Sequence, residues 1–158
     1  MERIQTLTPI KDKYSSNKFL FGLILNQNQK SERAFGIVNE LEKRLGTLEP
    51  QILSELDIDL LIEVFQKKPA IHPFSQVMAK NIKAACQILS STYNSDARNI
   101  WKKSSHDQIY NLLIKISGIG PKKAMVGVFL LIHHYKILEE NQLFSSYIKN
   151  HCNGLYAK

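Results

Sequence analysis

The residues best suited to chemistry lie in one short stretch, where Ser117-Gly118-Ile119-Gly120 is followed directly by Pro121-Lys122-Lys123. Apolar residues at helical spacing on both sides predict two helices joined by a tight turn. The second helix is expected to begin at Pro121, because proline is favoured at the first helical position, where its missing N–H costs nothing. Glycines adopt backbone angles closed to other residues, and a helix start presents free N–H groups at its positive end. Such a turn, with two lysines beside it, is suited to binding a phosphate.

Positive charge is concentrated around this turn. The chain has a net charge of +7, and the segment from Gln66 to Met125 holds ten Lys or Arg against Asp96 and Asp107. That segment therefore carries +8 and the remainder of the chain about −1. A basic half around a phosphate-binding turn is the electrostatic footprint of a nucleic-acid-binding protein. The alternative is a lysine-rich surface that is merely solvated.

The composition is that of a soluble globular protein. The 158 residues suffice for one domain with a core, and 44% of them are hydrophobic and 22% charged. No apolar run approaches the roughly 20 residues that span a bilayer, and no apolar signal core begins the sequence. We therefore expect a cytoplasmic location, no membrane partner and, by default, a monomer. Cys86 and Cys152 are too few for a disulfide framework, and no cluster has metal-ligand spacing, so no metal is predicted.

The elements that must position the turn are helices, because no segment is persuasive as a strand and the chain is predicted to be all-α. Residues 1–15 are expected to form an extended arm, residues 16–135 a helical core with the hairpin at 117–121, and residues 136–158 a short helical tail. In the first half, Ser16 or Asn17 is expected to cap a short helix that is almost wholly apolar and buried on most sides. A second helix follows, from about Lys30 to Leu45, with Gly46 as its C-terminal cap.

Further helices are predicted from Pro50 and from the cap residue Asp57, with an ordered loop between Pro69 and Pro73. A long amphipathic helix is predicted over 76–93. Its inward-facing residues are Val77, Ile82, Ala85, Cys86 and Leu89. A short helix carrying Trp101 comes next. Ser105 or Asp107 is expected to cap the helix that enters the turn, and the helix after the turn is expected to run to about Tyr135.

The segment ISGIGPKKA resembles the hairpin of the helix-hairpin-helix motif, whose usual form is LPGIGPKTA. Only Ser117 and Lys123 depart clearly from that form. The resemblance implies that the hairpin grips one DNA phosphate, with a monovalent cation at the hairpin carbonyls as an accompanying expectation. The DNA-binding residues it implies here are Ser117, Gly118, Ile119, Gly120, Pro121, Lys122 and Lys123. The alternative is an ordinary turn between two core helices, since Gly-x-Gly alone is weak evidence.

A second resemblance lies upstream, where FGLILNQNQKSERAF is similar to the ILSQQISxKAA stretch of helix-hairpin-helix DNA glycosylases of the alkylated-base type. In that family the turn faces the DNA opposite the hairpin, and an amide side chain helps to fill the space left by a flipped base. The resemblance implies this role for Gln27 and Asn28, whose amides can both donate and accept hydrogen bonds. On its own, NQNQ favours the simpler interpretation of a polar turn.

The order of these elements matches the glycosylase family, because MAKNIKAACQIL, which resembles KAxxIxxLA, lies between the two. The resemblance spans about Ser16 to Tyr135 and implies the helical barrel of the superfamily, with double-stranded DNA in the cleft between two helical halves. EVFQKKPAIHPF and the compact tail also resemble a small bacterial branch of base-excision-repair-like proteins. No iron–sulfur loop is present, since only Cys152 follows the hairpin.

Removing a base from DNA requires a carboxylate that supports a cation-like transition state, and a lyase adds an amine that attacks C1′. Lys122 lies where bifunctional relatives carry that amine, although both lysines of the turn are also suited to phosphate. The Asp that follows the hairpin in the family is missing, since no Asp follows Asp107. At that distance lie Glu139 and Glu140, the remaining candidates for the carboxylate, with surface glutamates at a helix end as the alternative.

Three further residues are candidates for the pocket of a flipped base, since a base favours an aromatic face. They are His72, Trp101 and Tyr135, each of which is also readable as a core residue. The sequence therefore favours a DNA glycosylase, with or without lyase activity. The alternative is a catalytically inactive DNA-binding module of the same fold that recognises lesions. A third reading is a helical interaction domain without a role on DNA.

Overall fold

The computed structural model describes residues 10–26, 31–102 and 105–134, with the side chains of 31–35 and 133–134 left out of the description. These ranges form eight α-helices and one π-helix and contain no strand, which confirms the all-α prediction. None of the described helices is long and apolar enough to cross a membrane. The α-helices are α1 (Lys13–Ile24), α2 (Ser31–Leu45), α3 (Pro50–Glu55), α4 (Ile58–Gln66), α5 (Ser75–Thr92), α6 (Arg98–Trp101), α7 (His106–Ile114) and α8 (Pro121–Phe129).

Helix α1 is the centre of the core, as its apolar sequence predicts. Nine of its 12 residues are buried, and it packs against α2, α5, α6 and α8. It begins earlier than predicted, because Asp12 is the cap: its carboxylate accepts from the Ser15 N–H at 2.9 Å. The Ser15 hydroxyl in turn accepts from the Asp12 N–H at 3.1 Å, a reciprocal capping box. The prediction of Ser16 or Asn17 as the cap is therefore wrong.

Asn17 instead fixes α1 to the turn between α5 and α6. Its buried carboxamide donates to the carbonyl of Ser95 at 2.9 Å and accepts from the N–H of Ala97 at 2.8 Å. The turn needs such support, because Asn94 and Ser95 both have positive φ angles, 54° and 60°. An asparagine within a helix therefore satisfies the buried main-chain groups of a neighbouring loop.

Helices α3 and α4 pack against α5. Asp57 caps α4 by accepting from two N–H groups, and Gly46 ends α2 with a φ of +79°, both as predicted. The loop between α4 and α5 is ordered, as expected from its prolines. The guanidinium of Arg44 donates to the carbonyls of Lys67 and Pro69 in this loop and to that of Val64 in α4, at 2.6–2.9 Å.

Helix α5 is amphipathic, but the prediction that Val77 faces the core is wrong. Val77 is 54% exposed, and Met78 is buried instead. The buried stripe runs through Met78, Ile82, Ala85 and Leu89, a spacing of four, three and four residues that follows one helical face. Val77 lies one residue, about 100° of helix rotation, before this stripe.

The last described part of the chain carries the hairpin. Helix α7 is capped by Ser105, one of the two predicted caps, in a capping box with Gln108. Helix α8 begins at Pro121, as predicted, but it ends at Phe129 and the chain continues as a π-helix over Leu130–His134. The prediction of one α-helix to Tyr135 therefore needs this correction. Residues 1–9 of the expected arm, Tyr135 and the tail 136–158 lie outside the described residues.

Candidate nucleic-acid interface

The turn between α7 and α8 is a tight hairpin. The N–H of Ile119 donates to the carbonyl of Ile116 at 3.0 Å, and Gly118 has a φ of +90°. Gly120 is the N-cap of α8 and Pro121 its first residue. Because glycine has no side chain, no side-chain cap satisfies the first N–H groups of α8. Those of Lys122 and Lys123 therefore lie at an uncapped, positive helix start that suits an anion.

Gly118 is required for two reasons. Its φ is one that other residues rarely adopt. In addition, a Cβ at this position would lie 2.9 Å from the side-chain nitrogen of Asn81 and 3.0 Å from Cγ2 of Ile24. The hairpin is thus pressed directly against α5 and the end of α1. Gly120 differs, since a Cβ there would meet nothing within 4 Å.

Ser117 and Asn81 connect the hairpin to α5. The hydroxyl of Ser117 donates to the carboxamide oxygen of Asn81 at 2.9 Å. Asn81 was not among the predicted site residues, although it lies in the MAKNIKAACQIL segment on which the resemblance depends. An exposed lysine, Lys80, is its neighbour in the chain, and exposed Lys115 ends α7 just before the turn. Two exposed lysines therefore lie close in the chain to the residues of this contact.

The two lysines of the turn are placed differently. Lys122 is exposed. Lys123 is half-buried, and its ammonium donates to the carbonyl of Ile24 at 2.5 Å and to that of Gly118 at 3.0 Å. Burial lowers the pKa of Lys123 from 10.5 to about 8. Both lysines were predicted to bind DNA, but the side chain of Lys123 forms its hydrogen bonds within the protein.

The pocket candidates within the described residues belong to the core. The ring of His72 is buried, with Nε2 3.1 Å from the carbonyl oxygen of Leu25, while Nδ1 accepts from the N–H of Phe74 at 3.0 Å. Trp101 is 4% exposed and packs edge-to-face on Phe19, with ring centroids 5.8 Å apart. Both side chains are therefore buried against other residues of this protein. This agrees with the alternative that they are core residues and not residues of a pocket for a flipped base. The third candidate, Tyr135, lies outside the described residues.

Four other predicted site residues also lie outside the described residues: Gln27, Asn28, Glu139 and Glu140. The chain that leads to the first two can still be followed. The last carbonyls of α1 and its cap, those of Ile24 and Leu25, contact Lys123 and His72. The end of α1 therefore lies beside the hairpin, and the chain leaves it at Asn26.

The hairpin carbonyls are largely used within the protein, which bears on the expected monovalent cation. The carbonyl of Ile116 accepts from Ile119, that of Gly120 from the N–H of Ala124 at 2.9 Å, and that of Gly118 from Lys123. A cation at the Gly118 carbonyl would lie beside an ammonium group and be repelled by it. That carbonyl therefore does not fit a cation, and a cation at other hairpin carbonyls stays a proposal. In the described ranges, no three His, Cys, Asp or Glu residues are grouped so that they could hold a metal ion.

Comparison with known proteins identifies a solved structure with a similar fold. No protein-family model and no curated protein matches the sequence. Among solved structures, the chain is similar to endonuclease III in a trapped covalent intermediate with DNA, described as an estranged-adenine complex. The TM-score is 0.53 with 18% sequence identity, over 78% of this chain and 49% of the other. The chain has the endonuclease III fold. The described part of this chain is all-helical, in agreement with the fold class predicted from the sequence. The match spans about half the length of the endonuclease III chain.

Proposed function

We propose that this protein is a DNA-glycosylase-like repair protein that binds double-stranded DNA through its hairpin and removes a damaged or modified base. The observation that carries the proposal is the uncapped start of α8 behind Gly118 and Gly120, beside the exposed Lys122, in an endonuclease III fold. Main-chain N–H groups at a helix start and one lysine together form a phosphate site.

Binding through phosphates has recognisable consequences. It tolerates changes of base sequence and weakens steeply with salt, because bound phosphates release counterions. The target nucleotide is flipped out of the duplex into a pocket, which costs free energy because the base must unstack and unpair. This cost is lowest for a damaged base, and the difference favours its selection. The net charge of +7 supports association with DNA inside the cell. We propose that the protein acts there as a monomer.

Lys122 is the proposed nucleophile of a lyase variant of this reaction. Its deprotonated amine would attack C1′ of the deoxyribose, and the bond from C1′ to the base would break as the base leaves with the electron pair and takes up a proton. Opening of the sugar ring then gives a Schiff base between C1′ and Nζ. The exposed position of Lys122 in the first turn of α8 supports this role. The covalent DNA intermediate of endonuclease III supports it as well.

The carboxylate for base removal is assigned to Glu139 or Glu140, which follow the hairpin in the sequence. A second candidate function is DNA binding without catalysis, in which the protein recognises lesions and holds them for another enzyme. The observation that favours it is the absence of any Asp after Asp107. Because the two functions share the hairpin, only a chemical assay separates them.

The test is borohydride trapping of the full chain on duplexes that contain an abasic site or a damaged base. Reduction of a Schiff base leaves a covalent protein–DNA adduct, which we expect for the wild-type protein and not for Lys122→Ala. Lys115→Ala removes another exposed lysine near the hairpin and is expected to retain the adduct. An adduct that persists in Lys122→Ala would contradict the assignment of the nucleophile.

If the wild-type protein forms no adduct, alkaline cleavage of the same duplexes decides between the remaining functions. Strand breaks after alkali indicate a glycosylase without lyase activity, and we then expect their loss in Glu139→Gln or Glu140→Gln. Intact duplexes that the protein nevertheless binds would favour the non-catalytic function. A protein that does not bind the duplexes at all would contradict both.

A further inference from the structure

The two positions at which the hairpin departs from LPGIGPKTA both carry side chains that hold the hairpin in place. Ser117 donates to Asn81 on α5 at 2.9 Å. Lys123 donates to Ile24 on α1 at 2.5 Å and to Gly118 within the hairpin at 3.0 Å. A proline cannot donate from its side chain, and a threonine carries a short, neutral hydroxyl in place of the long side chain and ammonium group of lysine. Ser117 and Lys123 therefore make contacts that the proline and threonine of the usual motif would not make.

Both carbonyl groups that Lys123 contacts carry partial negative charge, which offsets part of the cost of burying its ammonium group. Ile24 is the last residue of α1, where carbonyl groups lack intrahelical partners and the helix carries partial negative charge. The carbonyl of Gly118 faces the same point from the hairpin, so the ammonium group lies between two acceptors that would otherwise repel each other. Hydrogen bonds from a charged donor are about twice as strong as neutral ones.

We propose that Lys123 is a positioning residue whose ammonium group fixes the hairpin against the C-terminal end of α1, and so sets the orientation of the phosphate-binding N–H groups. The proposal rests on the proposed function for its consequence, since a fixed hairpin matters most if DNA is bound there. It assigns the two adjacent lysines different tasks: Lys122 faces the ligand, and Lys123 holds the turn.

The geometry separates this role from two others. A phosphate contact needs the ammonium group at the surface, whereas the half-buried group of Lys123 is directed at two main-chain carbonyls. A nucleophile needs a free electron pair that can reach C1′, and attack would require this amine to leave both carbonyls. The close approach of Gly118 to Ile24, where a Cβ would lie 3.0 Å from Cγ2, shows that the two elements are already in contact beside the ammonium group.

The experiment combines DNA affinity with amide hydrogen exchange on the full chain. The probe is a duplex with a tetrahydrofuran abasic analogue, followed by fluorescence anisotropy. Lys123→Thr introduces the residue of the usual motif, Lys123→Arg keeps a charged donor, and Lys43→Thr removes an exposed lysine from the last turn of α2 as a matched control. We expect Lys123→Thr to bind about tenfold more weakly and to speed exchange of the hairpin N–H groups. We expect Lys123→Arg to restore most of both, and Lys43→Thr to leave exchange in the hairpin unchanged.

The outcomes separate this proposal from the proposed function. If the wild-type protein does not bind the duplex, the proposed function fails, and hairpin exchange alone decides whether Lys123 positions the turn. If Lys123→Thr exchanges and binds like the wild type, or if Lys123→Arg is as impaired as Lys123→Thr, the positioning role is wrong. Should Lys123→Thr fail to fold, scalar coupling across the hydrogen bonds from Nζ to the carbonyls of Ile24 and Gly118 in the wild type replaces it. Absence of that coupling would overturn the proposal.

Discussion

The hydroxyl of Ser117 donates a hydrogen bond to the carboxamide oxygen of Asn81 at 2.9 Å, which ties the hairpin to the long helix α5. We predict that Ser117→Ala lowers the free energy of unfolding by about 1 kcal/mol, because the partly buried oxygen of Asn81 loses its donor. Urea denaturation measures the change. Ser91→Ala, in the last turn of the same helix and exposed, is the matched control and is expected to stay within about 0.5 kcal/mol of the wild type.

The same pair permits a sharper version of that prediction, a double-mutant cycle. If the hydrogen bond is the source of the effect, Ser117→Ala and Asn81→Ala together cost less than the sum of the two single changes. Strict additivity of the three measured free energies would mean that the two side chains act independently, and the predicted tie between hairpin and α5 would then be wrong.

Gly118→Ala is predicted to destabilise the protein by about 2–5 kcal/mol. A left-handed conformation costs a residue with a side chain about 1–2 kcal/mol, and overpacking against Asn81 and Ile24 adds about 1–3 kcal/mol. Thermal or urea unfolding measures this loss. The control is Gly36→Ala within α2, where a Cβ meets nothing within 4 Å and alanine should stabilise by about 0.5–1 kcal/mol. Equal effects of the two substitutions would contradict the argument.

Gly120→Ala separates binding from folding. Gly120 has a φ of −90°, which any residue adopts, and its Cβ would point into open space, so we expect unfolding to be almost unchanged. The added methyl group lies at the N-cap of α8, where a phosphate would approach the free N–H groups, and DNA affinity should therefore fall by about tenfold. Anisotropy titration with a duplex measures the affinity. Unchanged affinity would indicate that phosphates do not approach the main chain at this position.

Much of the fold was predictable from the sequence because local signals coincide with the final packing. Pro121 starts α8, Gly46 ends α2 and Asp57 caps α4, and each of these residues acts through its own backbone or side chain within a few residues. The hairpin was predictable for the same reason. Where local signals competed, the prediction was wrong: Asp12 caps α1 in a capping box with Ser15, and Asn17, a predicted cap, instead hydrogen-bonds to a loop far away in the chain.

The candidate site was less predictable, since it depends on contacts between distant segments. No local pattern indicates that Lys123 would contact Ile24, which lies 99 residues earlier, or that Asn81 would accept a hydrogen bond from Ser117. The sequence around His72 likewise does not indicate that its ring would contact the carbonyl of Leu25 at the end of α1. The sequence identified the hairpin, but it did not indicate that Lys122 would be exposed while Lys123 donates to two main-chain carbonyls.

The amine of Lys123 is predicted to titrate near its pKa of about 8, which burial lowers from 10.5. Between these values the unfolded chain binds more protons than the folded one, so the free energy of unfolding should rise with pH in this window relative to Lys123→Met. Below about pH 8 the penalty of burying the charge is present in full, and it disappears above about pH 10.5. Denaturation of both proteins across the window measures the difference, and ¹³C NMR of the Lys123 side chain measures the titration. A difference that stays flat with pH would show that the ammonium group is not desolvated between α1 and the hairpin.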